Sequence, residues 1–111
     1  MKRKKIYISL PIAFKEDTVM QRNDEAKEYI RKNFPEYDFY SPIDENHIDD
    51  EALGNHLEID RTAYYMGKDI EAVILCDAIL MCPGWNWEKS RGCLVEKYTA
   101  EIYKKDIFYM E

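Results

Sequence analysis

The segment DAILMC, residues 77–82, decides the fold class of this 111-residue chain. After its first residue the segment is continuously apolar, and Pro83-Gly84 follows it directly. A strand with one face in water alternates apolar with polar residues, whereas an unbroken apolar run is typical of a strand buried on both faces. Strands of that kind lie in the middle of parallel sheets that helices cover.

The flanking sequence supplies the other elements of such a sheet. β-Branched and aromatic residues predict strands at 4–10 (KKIYISL, ended by Pro11), 37–40 and 107–110. Apolar residues at helical spacing predict helices over 16–34, over 60–75 and from about residue 90. We expect the last helix to bury Leu94, Tyr98 and Ile102.

Strands that alternate with helices require right-handed crossovers and form a parallel sheet. The sequence therefore predicts one α/β domain over residues 1–111: a small doubly wound (Rossmann-like or flavodoxin-like) parallel sheet of four to five strands with helices on both faces. Residues 44–58 carry many acids and few apolar residues, which predicts a long acidic loop and a candidate lid.

The net charge and the lengths of the apolar runs argue against two classes of partner. Lysine and arginine number 16 against 22 aspartates and glutamates, a formal charge of −6, whereas binding to a nucleic-acid polymer favours a basic face. No apolar run approaches the roughly 20 residues of a membrane span, and no signal-like segment opens the chain. We therefore expect a cytoplasmic protein with no membrane or nucleic-acid partner.

Cysteine and histidine spacing favours neither a disulfide framework nor a metal site. Cys76, Cys82 and Cys93 form no CxxC pair, so reduced thiols fit best. His47 and His56 have no cysteine nearby, and solvated loop side chains explain them better than zinc ligands. We expect no metal and no other cofactor.

Ligands of open parallel sheets bind outside the carboxyl ends of the strands, where the strand order reverses. After the central strand, Ser90-Arg91-Gly92 directly precedes a helix, which favours either an anion pocket or an ordinary N-cap. The residues that we expect to contact a substrate are Ser9, Leu10, Pro11, Asp77, Gly84, Trp85, Ser90, Arg91 and Gly92.

Three acidic residues lie at positions where a carboxylate can have either a functional or a structural role. Glu96, within the third helix, is either an exposed helix glutamate or a buried carboxylate that needs a partner. Asp69 and Asp77 bracket the end of the second helix and the start of the central strand, where a capping role competes with a functional one.

The motifs together resemble the nucleoside 2-deoxyribosyltransferase superfamily, and most closely its short branch known as DUF4406. The resemblance rests on Y-I-S-L-P-I at 7–12, M-G-K-D-I at 66–70, C-D-A at 76–78, P-G-W at 83–85 and S-R-G-C-L-V-E at 90–96. Members of the superfamily cleave or exchange the N-glycosidic bond of nucleosides or nucleoside 5′-monophosphates.

The resemblance implies roles for individual residues. Glu96 matches the catalytic glutamate that attacks the anomeric carbon, and Tyr7 matches the tyrosine that orients it. Asp69 matches an aspartate that helps to protonate the departing base. Ser90 stands where transferases have an aspartate and 5′-monophosphate N-glycosidases have a phosphate-contacting serine, which implies a phosphorylated substrate.

Two departures from the family pattern bear on activity. Leu10 replaces a glycine that lets the ligand approach the backbone, so it either reshapes the sugar pocket or marks a member without activity. Trp85 and Trp87 either stack on a base or pack in a subunit interface.

The resemblance thus implies hydrolysis of the base–sugar bond of a (deoxy)nucleoside 5′-monophosphate through a glutamate nucleophile. The alternatives are nucleoside 2-deoxyribosyl transfer and a non-catalytic nucleotide-binding module. We expect a nucleotide or nucleoside as the small-molecule partner, and a homodimer or larger homo-oligomer, since small α/β chains gain buried area by pairing.

Overall fold

A computed structural model describes residues 3–11, 16–45, 61–82 and 90–110 of the chain. The strands are β1 (Lys4–Ser9), β2 (Tyr37–Tyr40), β3 (Ala78–Met81) and β4 (Asp106–Tyr109). The helices that connect them are α1 (Glu16–Asn33), α2 (Arg61–Leu75) and α3 (Arg91–Ile102). The strands form one parallel sheet in the order β2-β1-β3-β4, which confirms the predicted α/β fold.

The two faces of the sheet are covered by different helices, so the sheet is doubly wound. Ile6 and Ile8 of β1 pack on one face with Val19, Ala26 and Ile30 of α1. Tyr7 belongs to the other face, with residues of α2 and α3. β3 is buried along its whole length, which explains why its sequence is apolar without alternation.

The strand order reverses between β1 and β3, and this position defines the ligand crevice of such a sheet. In the register of the two strands Ser9 lies beside Met81. The amide of Cys82 continues the ladder by donating to the carbonyl of Ser9 at 3.0 Å. The carboxyl ends of β1 and β3 therefore open onto the same point of the molecule.

The side of α3 that faces the sheet differs from the prediction. Tyr98 and Ile102 are 55% and 74% exposed, and Leu94 is half-buried, so the expectation that these three residues form the core is wrong. The buried residues of α3 are Cys93, Glu96, Thr99 and Ala100. The helix turns this small and polar side inward because hydroxyl groups of β1 provide partners for Glu96.

The first residues of the predicted acidic loop, 44 and 45, belong to a helical turn. Residues 42–45 form a helical turn in which Asp44 accepts hydrogen bonds from Asn23 at 3.1 Å and Lys27 at 2.6 Å. The remainder of the candidate lid, residues 46–58, lies outside the described residues, as do Gly84, Trp85 and Trp87. None of the helices in the described ranges combines the length and apolarity of a membrane span.

Candidate active site

The carboxylate of Glu96 is buried against the first strand. Glu96 is 6% exposed. The phenol of Tyr7 donates to its Oε2 at 2.7 Å, and the hydroxyl of Ser9 donates to its Oε1 at 2.7 Å. Of the two alternatives for Glu96, the structure shows the buried and partnered one. Ser9, which we expected to contact a substrate, contacts this carboxylate.

Strand geometry brings both donors to one carboxylate. Residues i and i+2 of a strand point to the same face, so Tyr7 and Ser9 both face α3 while Ile8 faces α1. The ring of Tyr7 is completely buried and stacks on that of Tyr40, its register partner on β2, with 5.7 Å between centroids and 14° between planes. The stack holds the phenol in position beside Glu96.

Burial dominates the electrostatics of the site. It raises the pKa of Glu96 from 4.5 to about 7, against the hydrogen bonds from Ser9 and Tyr7, which lower it; the charge of Asp69 raises it further. Burial, with the charges of Glu96 and Asp69, also raises the pKa of Tyr7 well above 10. Tyr7 therefore keeps its proton and acts as a donor, while Glu96 exchanges a proton near neutral pH.

Asp69 places a second carboxylate at this site. It lies on α2 and is 7% exposed. Its charge raises the pKa of both Tyr7 and Glu96, so the structure brings together the three residues that the resemblance implied to be catalytic. Two carboxylates in different environments are what general acid and nucleophile roles require.

Asp77 lies away from this cluster, contrary to the expectation that it contacts a substrate. Its Oδ2 accepts a hydrogen bond from the amide of Lys5 at 2.9 Å, and its own amide donates to the carbonyl of Lys5. These contacts lie at the amino ends of β1 and β3, whereas Ser9 lies at the carboxyl end. Asp77 is thus a cap for the start of the strands, which was its competing interpretation.

The turn before α3 is built as an N-cap. The hydroxyl of Ser90 accepts from the amide of Cys93 at 3.3 Å, and Arg91 is exposed. Gly92 is half-buried, and a Cβ placed on it would lie 3.5 Å from Cε of Met66. The cap and the anion pocket are compatible, because a capped helix start still presents free amides.

Leu10 lies on the opposite face of the sheet from Glu96. It is buried in the cluster that Ile6 and Ile8 form with α1, as strand alternation requires. Pro11, next in the chain, is buried at the end of β1. The side chain that replaces the family glycine therefore does not occupy the space beside the Glu96 carboxylate.

Sequence reasoning missed Arg22 of α1. Its Nη2 donates to the carbonyl of Pro11 at 3.0 Å, which places the guanidinium at the carboxyl end of β1. Its positive charge lowers the pKa of the Cys82 and Cys93 thiols against the larger, raising effect of burial. A signal existed, since Arg22 lies one turn from Val19 and from Ala26 on the inward stripe of α1.

A cavity, the cysteines and the possible metal ligands are the other candidates for a functional site. A cavity of about 730 Å³ is lined by residues of the amino ends of β1 and β3 and of the end of α2, including Lys5, Leu75 and Asp77, and it does not reach Ser9 or Glu96. The cysteines are free and buried. Across the described ranges, His, Cys, Asp and Glu side chains nowhere gather in a group of three that could hold a metal ion.

The fold defines the class of the protein. A solved structure of a 2-deoxyribosyltransferase from the psychrotolerant bacterium Bacillus psychrosaccharolyticus superposes with a TM-score of 0.63 over 95% of this chain and 70% of that one, at 18% sequence identity. The chain thus has a nucleoside 2-deoxyribosyltransferase-like fold.

The family follows from the sequence. The family model described as "Domain of unknown function (DUF4406)" matches residues 4–109, and the chain belongs to this family. The family match confirms the resemblance to DUF4406 seen in the motifs, and the structural match confirms the fold that the resemblance implied. No curated protein matches the chain.

Proposed function

We propose that this protein hydrolyses the N-glycosidic bond of a (deoxy)nucleoside 5′-monophosphate, with Glu96 as the nucleophile. The observation that carries the proposal is the buried Glu96 carboxylate with one hydroxyl donor on each oxygen. An isolated carboxylate is costly to bury, and this one lies at the crevice where sheets of this order bind ligands.

The bond changes follow from the chemistry of glycosides. Cleavage develops positive charge at the anomeric carbon, and a carboxylate close to that carbon stabilises the charge or bonds to it. In the first step an oxygen of Glu96 bonds to the anomeric carbon as the bond to the base nitrogen breaks. In the second step water attacks the same carbon and gives its proton to the carboxylate of Asp69, while the bond to Glu96 breaks and Glu96 departs as a carboxylate.

Each neighbour of Glu96 has a role in these steps. Tyr7 and Ser9 hold the rotamer of the carboxylate, because they bond to different oxygens. Asp69, from the facing helix, supplies the proton that the leaving base accepts. The roles of acid and nucleophile fall to two carboxylates that come from different helices.

Two features support a phosphorylated substrate. The amides at the start of α3 and the Ser90 hydroxyl lie between about one and two turns before Glu96, where an anion attached to the bound sugar can reach them. Arg22 adds a guanidinium at the carboxyl end of β1. A guanidinium suits phosphate because it presents several donors in one plane.

The experiment is a panel of 5′-mononucleotides and the matching nucleosides, with free base measured by chromatography. We expect base release from at least one mononucleotide, and its loss in Glu96→Ala but not in Glu25→Ala, which changes an exposed glutamate of α1. Arg22→Gln should reduce the preference for the phosphorylated substrate, whereas Arg31→Gln, exposed on the same helix, should not. Absence of base release across the panel would contradict the proposal.

The alternative functions give different results in the same assay. A transferase forms a new nucleoside when a free acceptor base is added. A non-catalytic module binds a mononucleotide without releasing base. The position of Leu10 on the α1 face weakens the argument for lost activity, because that argument required the leucine to fill the sugar pocket.

We further propose a cytoplasmic homodimer. The free, buried thiols suit a reducing compartment. Val95, Tyr98 and Ile102 form an exposed apolar stripe along α3, with Arg91 near one end and Glu101 near the other. Two antiparallel copies of this stripe would bury the apolar side chains and place opposite charges together.

A further inference from the structure

Ser9 makes its contacts inside the protein rather than toward a ligand. It is completely buried at the end of β1, between β2 and β3 in the sheet. Its one hydroxyl proton is donated to Oε1 of Glu96 at 2.7 Å.

We propose that Ser9 is a positioning residue, whose buried hydroxyl holds Oε1 of Glu96 in place and stabilises the ionised form of this carboxylate. The step from an ionised Glu96 to catalysis rests on the proposed function. The ionisation of Glu96 itself does not, and it is measurable in the protein without a substrate.

The physical basis is the competition between burial and hydrogen bonding. Burial favours the neutral carboxyl group, and a hydrogen bond to a carboxylate favours the charged form. Of the groups that lower the pKa of Glu96, Ser9 has the larger effect and Tyr7 the smaller. The groups around Glu96 that titrate or carry charge are Tyr7 on β1 with Tyr40 of β2 behind it, Asp69 on α2, Cys82 after β3, Cys93 on α3 and Arg22 on α1.

The direct test is the titration of Glu96 by carboxyl carbon NMR in glutamate-labelled protein. A hydrogen bond to a charged group is worth about one to two pH units, so Ser9→Ala should raise the pKa of Glu96 from about 7 to roughly 8 or higher. Ser9→Cys, which keeps a weaker donor of similar size, should give an intermediate value. Ser41→Ala removes another buried serine that donates at 2.7 Å, to Asn23, and should leave the titration unchanged.

Kinetics separate positioning from a general loss of structure. The acid limb of the pH profile of kcat/KM should move to higher pH in Ser9→Ala. At pH 7 the kcat/KM of this variant should be roughly tenfold below that of the wild type, and near pH 9 the two values should converge. If Glu96 titrates at the same pH in Ser9→Ala and in the wild type, the inference is overturned. If the titration moves but no base is released by the wild type, the inference stands and the proposed function fails.

Discussion

The carboxylate of Glu96 is held where burial opposes its charge. Glu96 lies on the side of α3 that faces the sheet, and its two oxygens accept hydrogen bonds from Tyr7 and Ser9. Burial raises its pKa to about 7. The native state thus binds a proton more tightly than the unfolded chain, in which the ordinary value is 4.5. Such a carboxylate lowers stability at the pH where it is ionised, and functional sites commonly have this property.

The first prediction concerns pH and stability. Between about pH 4.5 and 7 the native state holds more protons than the unfolded state, so Glu96 makes the free energy of unfolding fall as pH rises. The full loss is about 3 kcal/mol, at roughly 1.4 kcal/mol per pH unit. In Glu96→Gln this loss should disappear, which raises Tm at pH 8 while base release is abolished.

Thermal unfolding from pH 4.5 to pH 8 checks this prediction, with Glu25→Gln, at an exposed glutamate of α1, as the control. The difference in Tm between Glu96→Gln and the wild type should widen as pH rises and level off above pH 7. Parallel curves for the two proteins would mean that Glu96 ionises in the native state as it does in the unfolded chain.

The start of α3 combines a cap with a glycine. Ser90 caps the helix through the amide of Cys93. A Cβ on Gly92 would make only an ordinary contact with Met66, so the fold itself does not require glycine there. A glycine that the fold tolerates but does not need is a candidate for close ligand approach.

The second prediction compares two glycines. Gly92→Ala and Gly67→Ala should each leave the fold intact and gain up to about 1 kcal/mol, because alanine is the better helix former and a Cβ on Gly67 meets no atom within 4 Å. Only Gly92→Ala should weaken nucleotide binding. Urea unfolding and KM measure the two effects, and equal KM values for the variants would remove Gly92 from the binding site.

The strands and helices were predicted from the sequence more accurately than the contacts between their side chains. The unbroken run of β3 and the alternation of β1 led to the parallel sheet, because burial on both faces leaves a direct compositional signal. The inward side of α3 was missed, because hydroxyl donors from a distant strand replace apolar packing there. Arg22 was missed for a similar reason, since its acceptor is the carbonyl of Pro11, just after β1.

Within the described residues, the protein has an apolar surface on α3 that no other element covers. On α3 the exposed stripe runs through Val95, Tyr98 and Ile102, on the opposite side of the helix from Glu96. Contiguous apolar side chains on a small protein commonly mark an interface. In the proposed dimer this stripe packs against its copy, so association would also hold α3 and thereby Glu96.

The third prediction is that Tyr98→Glu gives a monomer. A buried like-charge pair would form in the antiparallel arrangement, which opposes association. Tyr109→Glu on β4 is the control, because Tyr109 is 49% exposed, similar to the 55% of Tyr98. Light scattering after gel filtration should show a dimer for the wild type and the control. A wild-type monomer, or dissociation by the control alone, would rule out the stripe as the interface.

Covalent trapping tests the central chemistry most directly. A 2′-fluoro analogue of the mononucleotide substrate slows formation and hydrolysis of the sugar intermediate, since fluorine destabilises positive charge at the anomeric carbon. Mass spectrometry of the wild type should then show an added sugar phosphate on the peptide that contains Glu96, and none on Glu96→Gln. Base release without an adduct at Glu96, or an adduct on another residue, would contradict a glutamate nucleophile at this site.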